Sequence, residues 1–224
     1  MGKRARTDPS DVTVPPSEAS RLLRPGLLEG TSALLAGAGG GSPAGAGTLE
    51  ALRSAFVGLG ARVAECEAIV AGQVAEEADI ARAVSAALAA HDTVEVLIVD
   101  GAGLFAAAGG GRTGLGASVE AAWCVTRVLA GAAFIPAGRG GRIVYLAPAP
   151  GAAPHAPGAR AGLENLARTL SIEWARHGVT AVAIGAGEHS SAAELAALAA
   201  YLASEAGAYF SGCLLDLAGP AAAA

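Results

Sequence analysis

Residues 141–187 constrain the chain more than any other stretch. GRIVYLAPAPG opens with a short apolar run and ends in prolines and glycine, the form of a buried strand feeding a loop. ARAGLENLARTLSIEWARHG then places Leu163, Leu166, Ala167, Leu170 and Trp174 at helical spacing, which predicts an amphipathic helix over 159–177. VTAVAIGAG follows as a second buried strand. Two mostly apolar strands joined by a helix lie parallel, because a crossover of a dozen or more residues is what a parallel pair needs. Such units are right-handed and build α/β sheets.

The same alternation runs through the rest of the chain. SALLAG (32–37) reads as a parallel strand, followed by the glycine-rich loop AGAGGGSPAGAG (36–47). In TLEALRSAFVGLG (48–60), Leu49, Leu52, Phe56 and Leu59 share a helical face that stops at Gly60. ARVAECE is a candidate strand, and EEADIARAVSAALAAH (76–91) a helix whose acidic start and terminal His91 suit its dipole. VEVLIVDGAG (94–103) is the clearest strand of the first half. The glycine-rich FAAAGGGRTGLG and a helix at 118–134, SVEAAWCVTRVLAGAAF, come next. After Gly187 come the helix AAELAALAAYLASEAG and a last strand, GCLLDLAG, with Ser191 and Glu194 spaced as a capping box. The pattern predicts a Rossmann-like, doubly wound, mostly parallel sheet of about six strands flanked by helices. A nucleotide site on such a sheet lies at the strand C-termini where the order reverses. Residues 1–25 are polar and proline-bearing and read as a disordered extension; 26–220 form a single domain.

Composition narrows the class of function. The chain has 224 residues, 53% of them hydrophobic, enough for one domain with a sizeable core. No apolar run reaches the roughly 18 residues that span a bilayer. The first twenty residues lack the apolar centre of a secretory signal. A net charge of −5 argues against nucleic acid as a partner and leaves Lys3, Arg4 and Arg6 as a solvated tail. Cys66, Cys124 and Cys213 are odd in number and show no metal-ligand spacing, so they read as free thiols of a cytoplasmic protein with no metal site.

From Leu27 onward the chain resembles the short-chain dehydrogenases/reductases, in particular 3-oxoacyl-ACP reductases. LLEGTSALLAG is similar to their first strand and VEVLIVDGAG to the strand ending in Asn-Asn-Ala-Gly. SVEAAWCVTRVL is similar to the helix that follows, and LAALAAYLASEAGAYFSGCLLDLAG to the C-terminal helix and strand. AGLENLARTLSIEWARHGVTAVAIGAG is the strongest match. The resemblance implies the fold; activity depends on the site residues.

At those residues the chain departs from the family. The dinucleotide loop, Thr-Gly-x-x-x-Gly-x-Gly, brings backbone close to a pyrophosphate at a helix N-terminus. Gly37 fits its first glycine, but the stretch to Gly60 is about six residues longer than the family spacing. Read from the left, Gly41 fits and Pro43 replaces the last glycine; read from the right, Gly47 fits and Leu49 replaces it. A plain surface loop is favoured over a working cradle. Glu67 matches the acidic residue that holds the ribose hydroxyls, with Glu65 as the alternative, and both also suit plain solvation. AIVAGQVAEEAD is too short for a helix and another parallel strand, which predicts a shortened sheet edge and a reduced adenine pocket. Asp100 and Gly101 stand for the two asparagines, with Gly103 as the closing glycine.

The resemblance places a catalytic serine at Pro148, the proton-transferring tyrosine at Ala156, its lysine partner at Arg160 and a helix asparagine at Ser118. Ala156 has no proton to give, Pro148 has no side-chain donor, and a guanidinium is a different donor from an ammonium. Tyr145 and His155 are the nearby substitutes, with a core aromatic and an exposed loop residue as their plainer readings. The substrate lid that follows the sixth strand in the family is absent, since GEHSSA alone leads to the next helix. Cofactor-binding candidates are therefore Gly37, Gly41, Gly47, Glu67, Gly103 and Arg160, for NAD(P) if any cofactor binds. The family pairs subunits through helices matching 118–134 and 159–177. The favoured expectation is a non-catalytic subunit that pairs with itself or with an active relative. An oxidoreductase using non-standard residues and a small-ligand or nucleotide sensor are the alternatives.

Overall fold

The computed structural model describes residues 21–38, 46–70 and 72–217; Gly41, Pro43, positions 1–20 of the expected extension and 218–220 of the expected domain lie outside them. Seven strands form one sheet: β1 Ser32–Ala38, β2 Arg62–Val70, β3 Gln73–Val74, β4 Val96–Val99, β5 Gly141–Ala147, β6 Val179–Gly185 and β7 Leu214–Asp216. Their order is β3-β2-β1-β4-β5-β6-β7. Every pairing is parallel except β2 with β3.

The expected mostly parallel sheet of about six strands has seven, the two-residue β3 being the additional one at the shortened edge. β2 runs on through Ala68, Ile69 and Val70, and the chain reverses with Gly72 at a φ of 78°, a left-handed conformation that glycine adopts without a Cβ clash. The two-residue β3 then pairs back on β2. The shortened edge is thus a hairpin, since there are too few residues for a parallel crossover.

Alternating strand residues face opposite layers, as the pleat requires. Leu34, Leu97, Ile143 and Tyr145 pack in a core with α2 (Glu77–His91), α4 (Arg112–Leu129) and α5 (Ala156–Glu173). Leu35, Ile98, Val144 and Leu146 pack in a second core with α1 (Ala46–Gly58) and α6 (Ala192–Ala203). A short α3 (Gly101–Ala107) follows β4 directly. At α6, Ser191 and Glu194 form the expected capping box.

Two helices begin earlier than their patterns predict. α4 starts at Arg112 and takes in glycines that read as loop, because Gly114 lets it approach α3: a Cβ there would lie 2.6 Å from the Phe105 carbonyl oxygen. α5 starts at Ala156, with Pro157 in its first turn, where a missing N–H costs nothing. α4 and α5 in turn pack closely, since Cβ atoms on Gly158 and Gly162 would each lie 2.7 Å from Leu115 and Val119. α4 continues through a π-helical turn at Ala130–Phe134 to Ala137. By length and composition alone, Arg112–Ala137 is long and apolar enough to cross a membrane; in this fold half of its 18-residue apolar segment is buried inside the protein. Glu120 and Arg127 interrupt it, so no uninterrupted apolar run reaches about 18 residues, as the sequence indicates.

Candidate functional site

The chain winds outward from β1 to β3, returns to the far side of β1 at β4, and winds outward again to β7. The order reverses between β1 and β4, so the strand C-termini diverge there and open a crevice. A cavity of about 450 Å³ occupies this place, lined by Thr48 of α1, Ala102, Gly103 and Phe105 of α3, and Pro148 and Ala152 after β5. No charged side chain lines it among the described residues.

Asp100 closes β4 and caps α3. Its Oδ1 accepts the Gly103 N–H at 2.9 Å, and a Cβ on Gly103 would overlap Oδ2. Burial pushes the Asp100 carboxyl up to about 6, and the Gly103 N–H only partly offsets this. Beside it, the buried Ser118 Oγ donates to the Gly101 carbonyl at 2.7 Å. Ser118 therefore ties α4 to the start of α3.

Arg160 turns away from the cavity. It is 7% exposed, and Nη1 donates to the carbonyls of Pro148 at 3.3 Å and Ala186 at 3.1 Å. Nη2 forms an ion pair with Asp216 at the end of β7. A Cβ on Gly185 would overlap the guanidinium, so the group lies against the bare backbone of β6. Ala156 is fully buried against Phe105 and Ala159, and Pro148 is buried at the end of β5.

The two substitutes for proton transfer do not meet. Tyr145 is fully buried, and its hydroxyl and that of Thr126 share a hydrogen bond of 2.8 Å in the core beneath α4. Burial drives its phenol well above the ordinary value, against a smaller opposing effect of Thr126. His155 is half-buried at the N-terminus of α5 and makes no capping bond.

Of the cofactor candidates, Gly37 is the penultimate residue of β1, under α1. A Cβ there would lie 3.1 Å from Leu49, so the Leu49 side chain covers the Gly37 backbone. A Cβ on Gly47, in the first turn of α1, would meet nothing within 4 Å among the described residues. Glu67 pairs in register with Gly37 and is exposed, while Glu65 forms an ion pair with Arg53 at 3.7 Å. No group of three or more His, Cys, Asp or Glu is placed to hold a metal among the described residues.

No protein-family model and no curated protein matches the chain. Solved structures do. A short chain dehydrogenase from Mycobacterium smegmatis matches at 21% identity and a TM-score of 0.69, over 88% of this chain and 95% of that one. A 3-ketoacyl-(acyl-carrier-protein) reductase from Brucella melitensis, complexed with NADH, matches at 22% identity and 0.66, over 86% and 98%. A citronellol catabolism dehydrogenase of Pseudomonas aeruginosa PAO1 matches at 23% identity and 0.64, over 87% and 96%. The fold is that of the short-chain dehydrogenases/reductases. In that frame the serine, tyrosine and lysine positions that the sequence resemblance assigns to Pro148, Ala156 and Arg160 lie together around the β5–α5 turn, with no hydroxyl among them.

Sequence reasoning missed Gly185 and Asp216, the seat and the counter-charge of Arg160. Neither carries a local signal, because they meet Arg160 only when β6 and β7 align beside α5. The join of Thr126 to Tyr145 is hidden in the same way.

Proposed function

We propose that this chain is a non-catalytic relative of the short-chain dehydrogenases/reductases, a cytoplasmic structural or regulatory subunit that pairs with itself or with an active family member. The observation that carries the proposal is the state of the β5–α5 turn. Ala156 offers no proton, the Pro148 carbonyl and the Arg160 guanidinium bond to each other, and the Tyr145 hydroxyl is sealed in the core. Proton transfer to a substrate oxygen needs a donor within hydrogen-bond reach; the three family positions offer none, and His155 beside them is not among the described residues that line the crevice.

The surface of α4 and α5 supports pairing. Trp123 is 40% exposed and stacks on Trp174 with ring centroids 6.4 Å apart. Ile172, on the same helix pair, is 73% exposed. Exposed aromatic and aliphatic groups of this size are characteristic of contact surfaces. The experiment is co-expression with an active short-chain dehydrogenase/reductase from the same source, followed by light scattering and assay of the partner. A complex, or a homo-oligomer built on α4 and α5, supports the proposal; a monomer that leaves the partner unchanged sinks it.

The cavity between α1, α3 and β5 favours one second reading, a sensor of a small uncharged molecule. A ligand that binds only the folded state raises its stability. Melting-temperature shifts without turnover across a neutral metabolite set would select this reading.

A further inference from the structure

The fold places NAD(P) at the switch point between β1 and β4, and one solved structure of this fold is complexed with NADH. We infer that this chain excludes the dinucleotide from that crevice, because Leu49 and Arg160 are turned inward at the two positions that would hold its pyrophosphate and its ribose. This is independent of pairing, since a subunit can associate with or without a cofactor.

Consider the pyrophosphate first. Its usual seat is a helix N-terminus approached over bare glycine backbone, where N–H groups and the dipole meet the charge. Here α1 carries Leu49 in its first turns, and that side chain packs over Gly37. The glycine on the strand makes room for a leucine on the helix, so apolar carbon fills the gap that a phosphate would enter. No described residue crowds Gly47 at the start of α1, but Leu49 two residues later packs on the Gly37 backbone of β1.

The ribose and the remaining charge fare no better. Arg160 is the cation at the lysine position, and it is held by the Pro148 and Ala186 carbonyls and by Asp216. Freeing it would strand those carbonyls and break its ion pair with Asp216, whose own side chain is about half exposed. No charged side chain lines the cavity among the described residues, so a phosphate placed there meets no cation. Glu67 adds an exposed negative charge in register with Gly37, which opposes the extra phosphate of NADPH most strongly.

The test is titration of the full chain with NADH and with NADPH, read by nicotinamide fluorescence and by calorimetry. The expected result is no saturable signal for either up to about 1 mM, the weak end of specific binding. Saturable binding of either nucleotide below that concentration overturns the inference. The Arg160→Lys variant forms the second arm. It restores the side chain of the resembled family yet removes the fork that holds two carbonyls and a carboxylate. It is expected to melt at least about 3 °C lower and to gain no nucleotide binding. An unchanged melting temperature, or new binding of NADH, overturns the inward role of Arg160. Light scattering on the same samples reports association separately, so a chain that binds NADH and still pairs refutes this inference alone.

Discussion

The guanidinium of Arg160 rests on the backbone of Gly185, where any Cβ would overlap it. The contact joins the second turn of α5 to the end of β6. The Pro148 and Ala186 carbonyls and the Asp216 carboxylate complete the seat. The position that resembles a catalytic lysine thus closes the sheet at its C-terminal edge.

Arg160→Met is expected to cost about 2 kcal/mol, since it removes charge-assisted bonds and strands two carbonyls. Gly185→Ala is expected to cost a similar amount by displacing the same group. The double variant should fall well short of the sum, because both substitutions break one interaction. Urea denaturation of the four proteins measures the coupling, and additive losses would contradict the contact.

Asp100 makes stability depend on pH. Its carboxyl holds a proton up to about 6 in the fold, whereas an unfolded aspartate releases it at about 3.9. The native state therefore binds more protons between these values, and stability falls as pH rises from about 4 to about 6. Asp100→Asn retains an oxygen for the Gly103 N–H and has no charge to bury. It should equal the parent near pH 4 and exceed it by about 2–3 kcal/mol near pH 7.5. Denaturation curves at both values check this.

Tyr145→Phe leaves the Thr126 hydroxyl without its partner in the core. The expected cost is about 1 kcal/mol of stability. A role in proton transfer would instead show as lost turnover with little change in stability, measured on any substrate the chain is found to reduce.

Ile172 is exposed on the α4–α5 face. If that face is a contact between subunits, Ile172→Glu buries a charge at the seam and should weaken association by at least about tenfold, or about 1.4 kcal/mol. Sedimentation of both proteins decides it, and equal masses at all concentrations would remove α5 from the interface.

Most elements of the fold were legible because they depend on local periodicity. Leu35, Val99, Val144 and Val182 stand in apolar runs too short for helices, and Leu163, Leu166 and Leu170 keep helical spacing. The edge hairpin at Gly72 and the early start of α4 were not legible. Glycine reads as loop in isolation, while Gly114 serves close packing against Phe105.

By itself the sequence determined the alternation of strands and helices, the vacant serine and tyrosine positions at Pro148 and Ala156, and the short connection after Gly187. Each of these is a property of residue type or of spacing along the chain. Tertiary structure alone decided where the side chains point. Leu49 covers Gly37, Tyr145 bonds Thr126 inside the core, and Arg160 crosses Gly185 to reach Asp216. Arg160 and Asp216 are far apart in sequence, and only the parallel stacking of β5, β6 and β7 brings them together. A long flexible side chain takes its direction from the partners that the fold supplies.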